Sequence, residues 1–302
     1  MTFTALMLGV VTGLAFASMF VLISTSLTLV VAASGVFNFA QGTLVMAGAV
    51  LAYLLGVNLG WPILAVVAAL VGIGVLGGLI TYFVAVWPAM GRSRSFAHTA
   101  ILTTIGLGTA ANALVALVFG GEAWVVPSYV TDTPVHAGSV PIRPIYIVMI
   151  VAGAGLTILV DRIIRRTALG NIFRATLEDP EGALLMGIDT RKVVTLSFAV
   201  AGGLSALAGF LMAPVINASA YSAQELGFLG FAGMAIGGFG SFPGALAGGV
   251  IVGLFYGIVP VFLDPHLAVP ILWAVVIAVL MLRPMGLLGT AGLFGSARSR
   301  EI

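Results

Sequence analysis

Asn38 and Gln41 stand three residues apart in Ser34-Gly35-Val36-Phe37-Asn38-Phe39-Ala40-Gln41-Gly42, inside a long apolar region. Side-chain amides in such surroundings are costly unless they are hydrogen-bonded. Glycines flank them, and two readings follow. Asn38, Gln41 and Gly42 line a solute pathway where a helix is broken, or they form a connection between two helices near a membrane face. A second candidate is Gly237-Gly238-Phe239-Gly240-Ser241-Phe242-Pro243-Gly244-Ala245. A phosphate-cradling loop of the Walker type needs a following Gly-Lys-Ser/Thr, and the chain's one lysine, Lys192, is followed by two valines. The stretch therefore reads as a tight turn between closely packed helices, with Gly237, Gly238, Gly240 and Ser241 beside a route or shaping the helices around it. His98, His136 and His266 are scattered and cysteine is absent, so no metal spacing, thiol nucleophile or catalytic pair is recognisable, and no cofactor is implied.

The longest hydrophilic stretch runs from Asp161 to Lys192 and holds six basic and five acidic residues. Within it, 178–189 reads as a short helix ended by Gly187, with Pro180 at its first position and Asp179 as N-cap. Glu178, Asp179, Glu181, Ala183, Gly187 and Ile188 are candidates for contact with a partner protein. The plainer reading is an interfacial loop that neutralises its own charge.

These features must be placed by the rest of the chain. Of 302 residues, 61% are hydrophobic and only 7% charged, against about 25% charged in an ordinary soluble domain. Mean hydropathy is +1.21, which points to an all-α polytopic membrane protein with the bilayer as its solvent. The 40 glycines suit close helix contact in lipid. A net charge of +2 gives no footprint for a nucleic acid. Hydrophobic segments lie at 5–31, 41–57, 62–87, 97–119, 144–162, 193–214, 226–240, 243–263 and 268–283, with 41–57 and 226–240 short. The first reads as a retained helix, not a cleaved leader. Placing Arg92 and Arg94, the 161–192 stretch and the C-terminal arginines in the cytoplasm puts 11 of 12 basic residues inside and 120–143 outside. The segments within 5–119 and 193–285 match in order, each with a short, glycine-interrupted second member, as in inverted repeats. None of the ten acidic residues lies in the middle of a segment, which disfavours self-contained proton coupling. Sodium coupling through backbone carbonyls stays open.

Together these stretches resemble the LivH-type permeases of branched-chain amino-acid ABC transporters. The resemblance is carried by Phe37-Asn38-Phe39-Ala40-Gln41-Gly42, by Arg174-Ala175 through Gly187-Ile188-Asp189, by the 237–245 glycine run, and by Arg283-Pro284-Met285-Gly286-Leu287-Leu288-Gly289. It implies a transport subunit and not an enzyme. Its expected partners are a second homologous permease, two cytoplasmic ATP-binding subunits and an extracytoplasmic substrate-binding protein, all at a bacterial inner membrane, with 178–189 (Glu178, Asp179, Glu181, Ala183, Gly187 and Ile188) as the coupling helix that docks on the ATP-binding subunits. Branched-chain amino acids or related small amides are the implied substrates. Leu229 departs from the pattern, since relatives often carry a basic residue there. A self-contained secondary carrier or channel for a small polar solute is the alternative.

Overall fold

A computed structural model describes residues 3–90, 96–138 and 140–289. Arg92, Arg94, Arg298 and Arg300 lie outside the described residues. The first half holds α1 (Phe3–Ser34), α2 (Gln41–Leu51), α3 (Ile63–Ile80) and α4 (Phe96–Phe119). α2 and α3 each finish in a wider π-type turn, over Ala52–Asn58 and Thr81–Val86. A two-stranded antiparallel hairpin, β1 (Val135–Ala137) and β2 (Val140–Ile142), precedes α5 (Pro144–Arg166). Two short helices follow, α6 (Ala168–Glu178) and α7 (Pro180–Leu185). The second half holds α8 (Thr190–Ile216), α9 (Ser222–Gly237), α10 (Phe242–Phe262) and α11 (Pro265–Leu282).

Among the described residues, eight helices are long and apolar enough to cross a membrane: α1, α2 with its π turn, α3 with its π turn, α4, α5, α8, α10 and α11. The sequence also suggested 226–240 as a short segment. It forms α9, whose 16 residues span about 24 Å at ~1.5 Å per residue, less than the ~30 Å hydrocarbon thickness.

The bundle is organised around α1 and α8, the two helices most enclosed by protein. α1 packs along α10, and α3 packs along α8; α2 also lies on α8, and α9 on α1. Small residues make these crossings close, because lipid gives helices no hydrophobic drive to associate and packing must supply it. Gly9, Gly13 and Ala17 of α1 meet Gly257 and Gly253 of α10, while Gly74 and Gly78 of α3 meet Gly202 and Phe198 of α8. α4 and α11 are the outermost spans.

The connection between α4 and α5 is fastened to the bundle. Trp124 and Ala218 exchange backbone hydrogen bonds of 2.7 and 2.9 Å, and Trp124 stacks on Tyr53. Pro214 lies inside α8 and has no N–H, so the Phe210 carbonyl loses its helical partner. The Tyr129 hydroxyl donates to that carbonyl at 2.7 Å, and its ring stacks on Phe210. Burial pushes the Tyr129 phenol above its ordinary value, which keeps it a donor.

Candidate functional site

α1 stops at Ser34 because Gly35 turns left-handed, at φ +69. The chain then re-enters the bundle through Asn38. The Asn38 oxygen accepts the Ala40 N–H at 3.0 Å, and its Nδ2 donates to Gln41 Oε1 at 2.9 Å. Gln41 Nε2 reaches Ser205 Oγ at 2.6 Å, the Ala201 carbonyl at 3.0 Å and Ser26 Oγ at 3.1 Å. Ser26 Oγ in turn lies 3.0 Å from Ser205 Oγ. Both amides are 1% exposed. The network ties the start of α2 to α1 and α8, and it uses the hydrogen-bonding capacity that made these residues conspicuous. Gln41→Leu is expected to lower stability by about 2 kcal/mol, since it leaves Asn38 Nδ2 without its acceptor and removes the link from α2 to Ser26, Ala201 and Ser205. A thermal-unfolding curve of the detergent-solubilised protein measures this, and an unchanged midpoint would count against a bracing role.

The outer side of the same segment borders a cavity of about 800 Å³ between α2, α4 and α9. Asn38, Gln41 and Gly42 edge it, with Asn112 from α4 and Gln224 from α9. Phe37, Phe39, Phe228 and Phe231 form one wall of interlocking rings, with centroids 5.8 Å apart for Phe37–Phe231 and 6.2 Å for Phe39–Phe228. Among the described residues, no acidic, basic or histidine side chain lines it. Leu229 points into the core, 1% exposed, and does not line the cavity.

Gly237, Gly238, Gly240 and Ser241 lie apart from the cavity lining and build the turn from α9 to α10. Gly238 and Gly240 have φ of +127 and +71, and Ser241 caps α10 by accepting the Gly244 N–H at 3.1 Å. The turn is clamped by the segment after α11: Leu287 N–H donates to Ile236 and Leu288 N–H to Gly237, at 2.9 and 2.7 Å. Two sequence motifs separated by the whole of α11 and most of α10 thus form one unit. Phe239 joins it to the cavity wall through Phe37, with centroids 5.4 Å apart.

The 161–192 stretch is more structured than a charged loop. Thr167 caps α6, and Asp179 Oδ1 accepts the Gly182 N–H at 3.0 Å to start α7. The expected helix over 178–189 is corrected to the six residues Pro180–Leu185, because Gly187 at φ +81 closes it. Ile188 N–H donates to Ala183 and Gly187 N–H to Leu184, both at 3.0 Å, which is the Schellman pattern. Asp189 then caps α8, and the Lys192 backbone N–H holds its carboxyl below the ordinary value. Ala183 faces inward, whereas Leu184, Leu185 and Met186 are exposed. Glu178, which ends α6, is exposed, and Glu181 lies in the first turn of α7. Phe173 of α6 packs edge-on against Phe242, next to the cap of α10. The hydrophilic stretch and the glycine turn are therefore in contact.

A family model described as "Branched-chain amino acid transport system / permease component" matches residues 9–283. The chain belongs to that family. The high-affinity branched-chain amino acid transport permease LivH of Escherichia coli strain K12 is 30% identical, with 92% of this chain and 93% of the relative aligned. BraD of Pseudomonas aeruginosa, a permease of the same description, is 28% identical over 92% and 94%. The fructose import permease FruF of Bifidobacterium longum is 26% identical over 86% and 73%. No solved structure matches. The permease is thus a multi-pass membrane transport component, not an enzyme. Sequence reading singled out Asn38 and Gln41 but missed Asn112, Gln224 and the Phe228–Phe231 wall. The available signal was an amide deep within the apolar run 97–119.

Proposed function

We propose that this permease is the membrane subunit of an ATP-driven importer of branched-chain amino acids or related small amides. The family match over 9–283 carries the reading, and the uncharged, aromatic-walled cavity suits an aliphatic solute of no net charge. The chain works with a second homologous permease, two ATP-binding subunits that hydrolyse the nucleotide, and an extracytoplasmic binding protein, in a bacterial inner membrane. The 161–192 stretch faces the cytoplasm, in keeping with its arginines. Residues 5–119 and 193–285 are inverted repeats. Supporting this, each half lends its first helix to the third helix of the other, α1 to α10 and α8 to α3. A fructose substrate is the second reading, favoured only by the FruF relative. The cavity carries Thr43, Thr109, Asn112, Tyr221 and Gln224, but its wall of Phe37, Phe39, Phe228 and Phe231 suits an aliphatic body better than a polyol.

The test is reconstitution of the permease with its partners in liposomes. Leucine is expected to accumulate only with ATP and both ATP-binding subunits present, and excess fructose should not compete. Full uptake by the permease alone would replace the importer with a secondary carrier.

A further inference from the structure

Three amides near the α2 end of the cavity are not equivalent. Asn38 and Gln41 are occupied in holding α1, α2 and α8 together. Asn112 is different. Its side-chain oxygen is buried and accepts no hydrogen bond, yet the residue lines the cavity. It lies well inside α4, which runs Phe96–Phe119, at a depth where hydrocarbon surrounds the helix. An unpaired amide oxygen there is unfavourable, and polar groups kept at such depth face a partner or a water-filled route. Gln224 lies on α9 and also lines the cavity.

We infer that Asn112, with Gln224, binds the polar end of a solute of no net charge during passage, while Phe37, Phe39, Phe228 and Phe231 take its aliphatic part. The inference rests on the transport reading above and narrows it to zwitterions and amides with an apolar body. A carboxamide offers one acceptor and two donors on the same group. The Asn112 Oδ1 is enclosed, so the amide must rotate toward the cavity to answer an ammonium through Oδ1; Nδ2 answers a carboxylate or amide oxygen, and the group adds no charge. A lysine or aspartate in that position would hold an opposite charge too firmly, whereas a pathway needs binding weak enough to allow exit. Among the described residues no charged side chain lines the cavity, which agrees with this. An acidic or basic amino acid would leave its extra charge unpaired among phenylalanines, which is how a site rejects a solute.

The experiment compares wild type, Asn112→Leu, Asn112→Gln and Asn112→Asp in the complete transporter, with both permeases, the ATP-binding subunits and the binding protein, in liposomes. Asn112→Leu is expected to slow leucine uptake about tenfold while the subunits still co-purify and hydrolyse ATP. Asn112→Gln should restore most of the rate. Asn112→Asp should shift the relative uptake of lysine over leucine upward when each is supplied at saturating concentration. Unchanged leucine uptake in Asn112→Leu overturns the inference. So does loss of the second permease on co-purification, which would make the amide a contact between subunits. Wild type that accumulates sugar but no amino acid removes the transport reading itself, and that result is distinct from either.

Discussion

Gly253→Leu is expected to abolish recovery of folded permease from the membrane. α10 presents Gly249, Gly253 and Gly257 at four-residue spacing, one face of the helix. That face lies on α1 at Val21, Ala17 and Gly13. A Cβ on Gly249 would stand 2.6 Å from the Val21 Cα, and one on Gly253 would run into the backbone of Ala17. Overpacking a core that can shift its side chains costs about 1–3 kcal/mol. Here the obstruction is main chain, so the helices themselves must separate, and the longest contact of the bundle opens along its length. Other contacts do not compensate, because apolar surface released to lipid loses packing without any hydrophobic penalty to drive it back. Gly155→Leu is the control: a Cβ there meets nothing within 4 Å. Size-exclusion profiles after detergent extraction should show a monodisperse peak for Gly155→Leu and aggregate or nothing for Gly253→Leu. Equal recovery of the two would mean that α1 and α10 are not held by this seam.

What could be read in the sequence follows from the range of each interaction. Hydropathy is local and additive, so the spans from 5–31 to 268–283 emerge with nearly the right ends. Caps are local too: Asp179, Pro180 and Gly187 occupy the roles their types suggested. α6 was hidden because its apolar positions, Leu169, Ile172 and Phe173, make only a short run between Arg165-Arg166 and Arg174. The use made of Gln41 was out of reach, since it joins Ser26 of the preceding helix to Ala201 and Ser205 of α8, far away in sequence. The same holds for the glycine turn. Its positive φ values are a property of the chain, but the clamp by Leu287 and Leu288 depends on where α11 ends. Asn112 is the instructive omission. Within 97–119 it looks like a tolerated polar residue in an apolar helix. Only the three-dimensional arrangement reveals that its oxygen has no partner while its neighbours edge a cavity.

Leu185→Glu combined with Met186→Glu is expected to cut ATP-driven uptake more than tenfold while the permease still folds. Both side chains project from the end of α7, 89% and 83% exposed, beside Leu184. Apolar side chains so exposed on a charged, membrane-flanking stretch contribute nothing to the fold of this chain. They are also too few and too short to anchor in lipid. Their position is fixed nonetheless. Asp179 begins the helix, the Schellman turn at Gly187 ends it, and Asp189 starts α8 two residues later. A force applied at α7 passes directly into α8, which braces α2 and α3. A second path leads through Phe173 and Phe242 to the cap of α10 and the turn whose Phe239 touches the cavity wall. This geometry suits the segment proposed to receive the ATP-binding subunits. Buried apolar anchors of an interface are worth about 2 kcal/mol or more each, so two charges placed there should dissociate the complex. Removing an exposed ion pair, as in Lys192→Ala against Asp189, should change affinity by less than about 1 kcal/mol. Co-purification of the ATP-binding subunits with each variant separates the cases. Retained subunits and normal uptake in the double glutamate variant would leave α7 as an ordinary surface turn and move the coupling contact elsewhere on the cytoplasmic face.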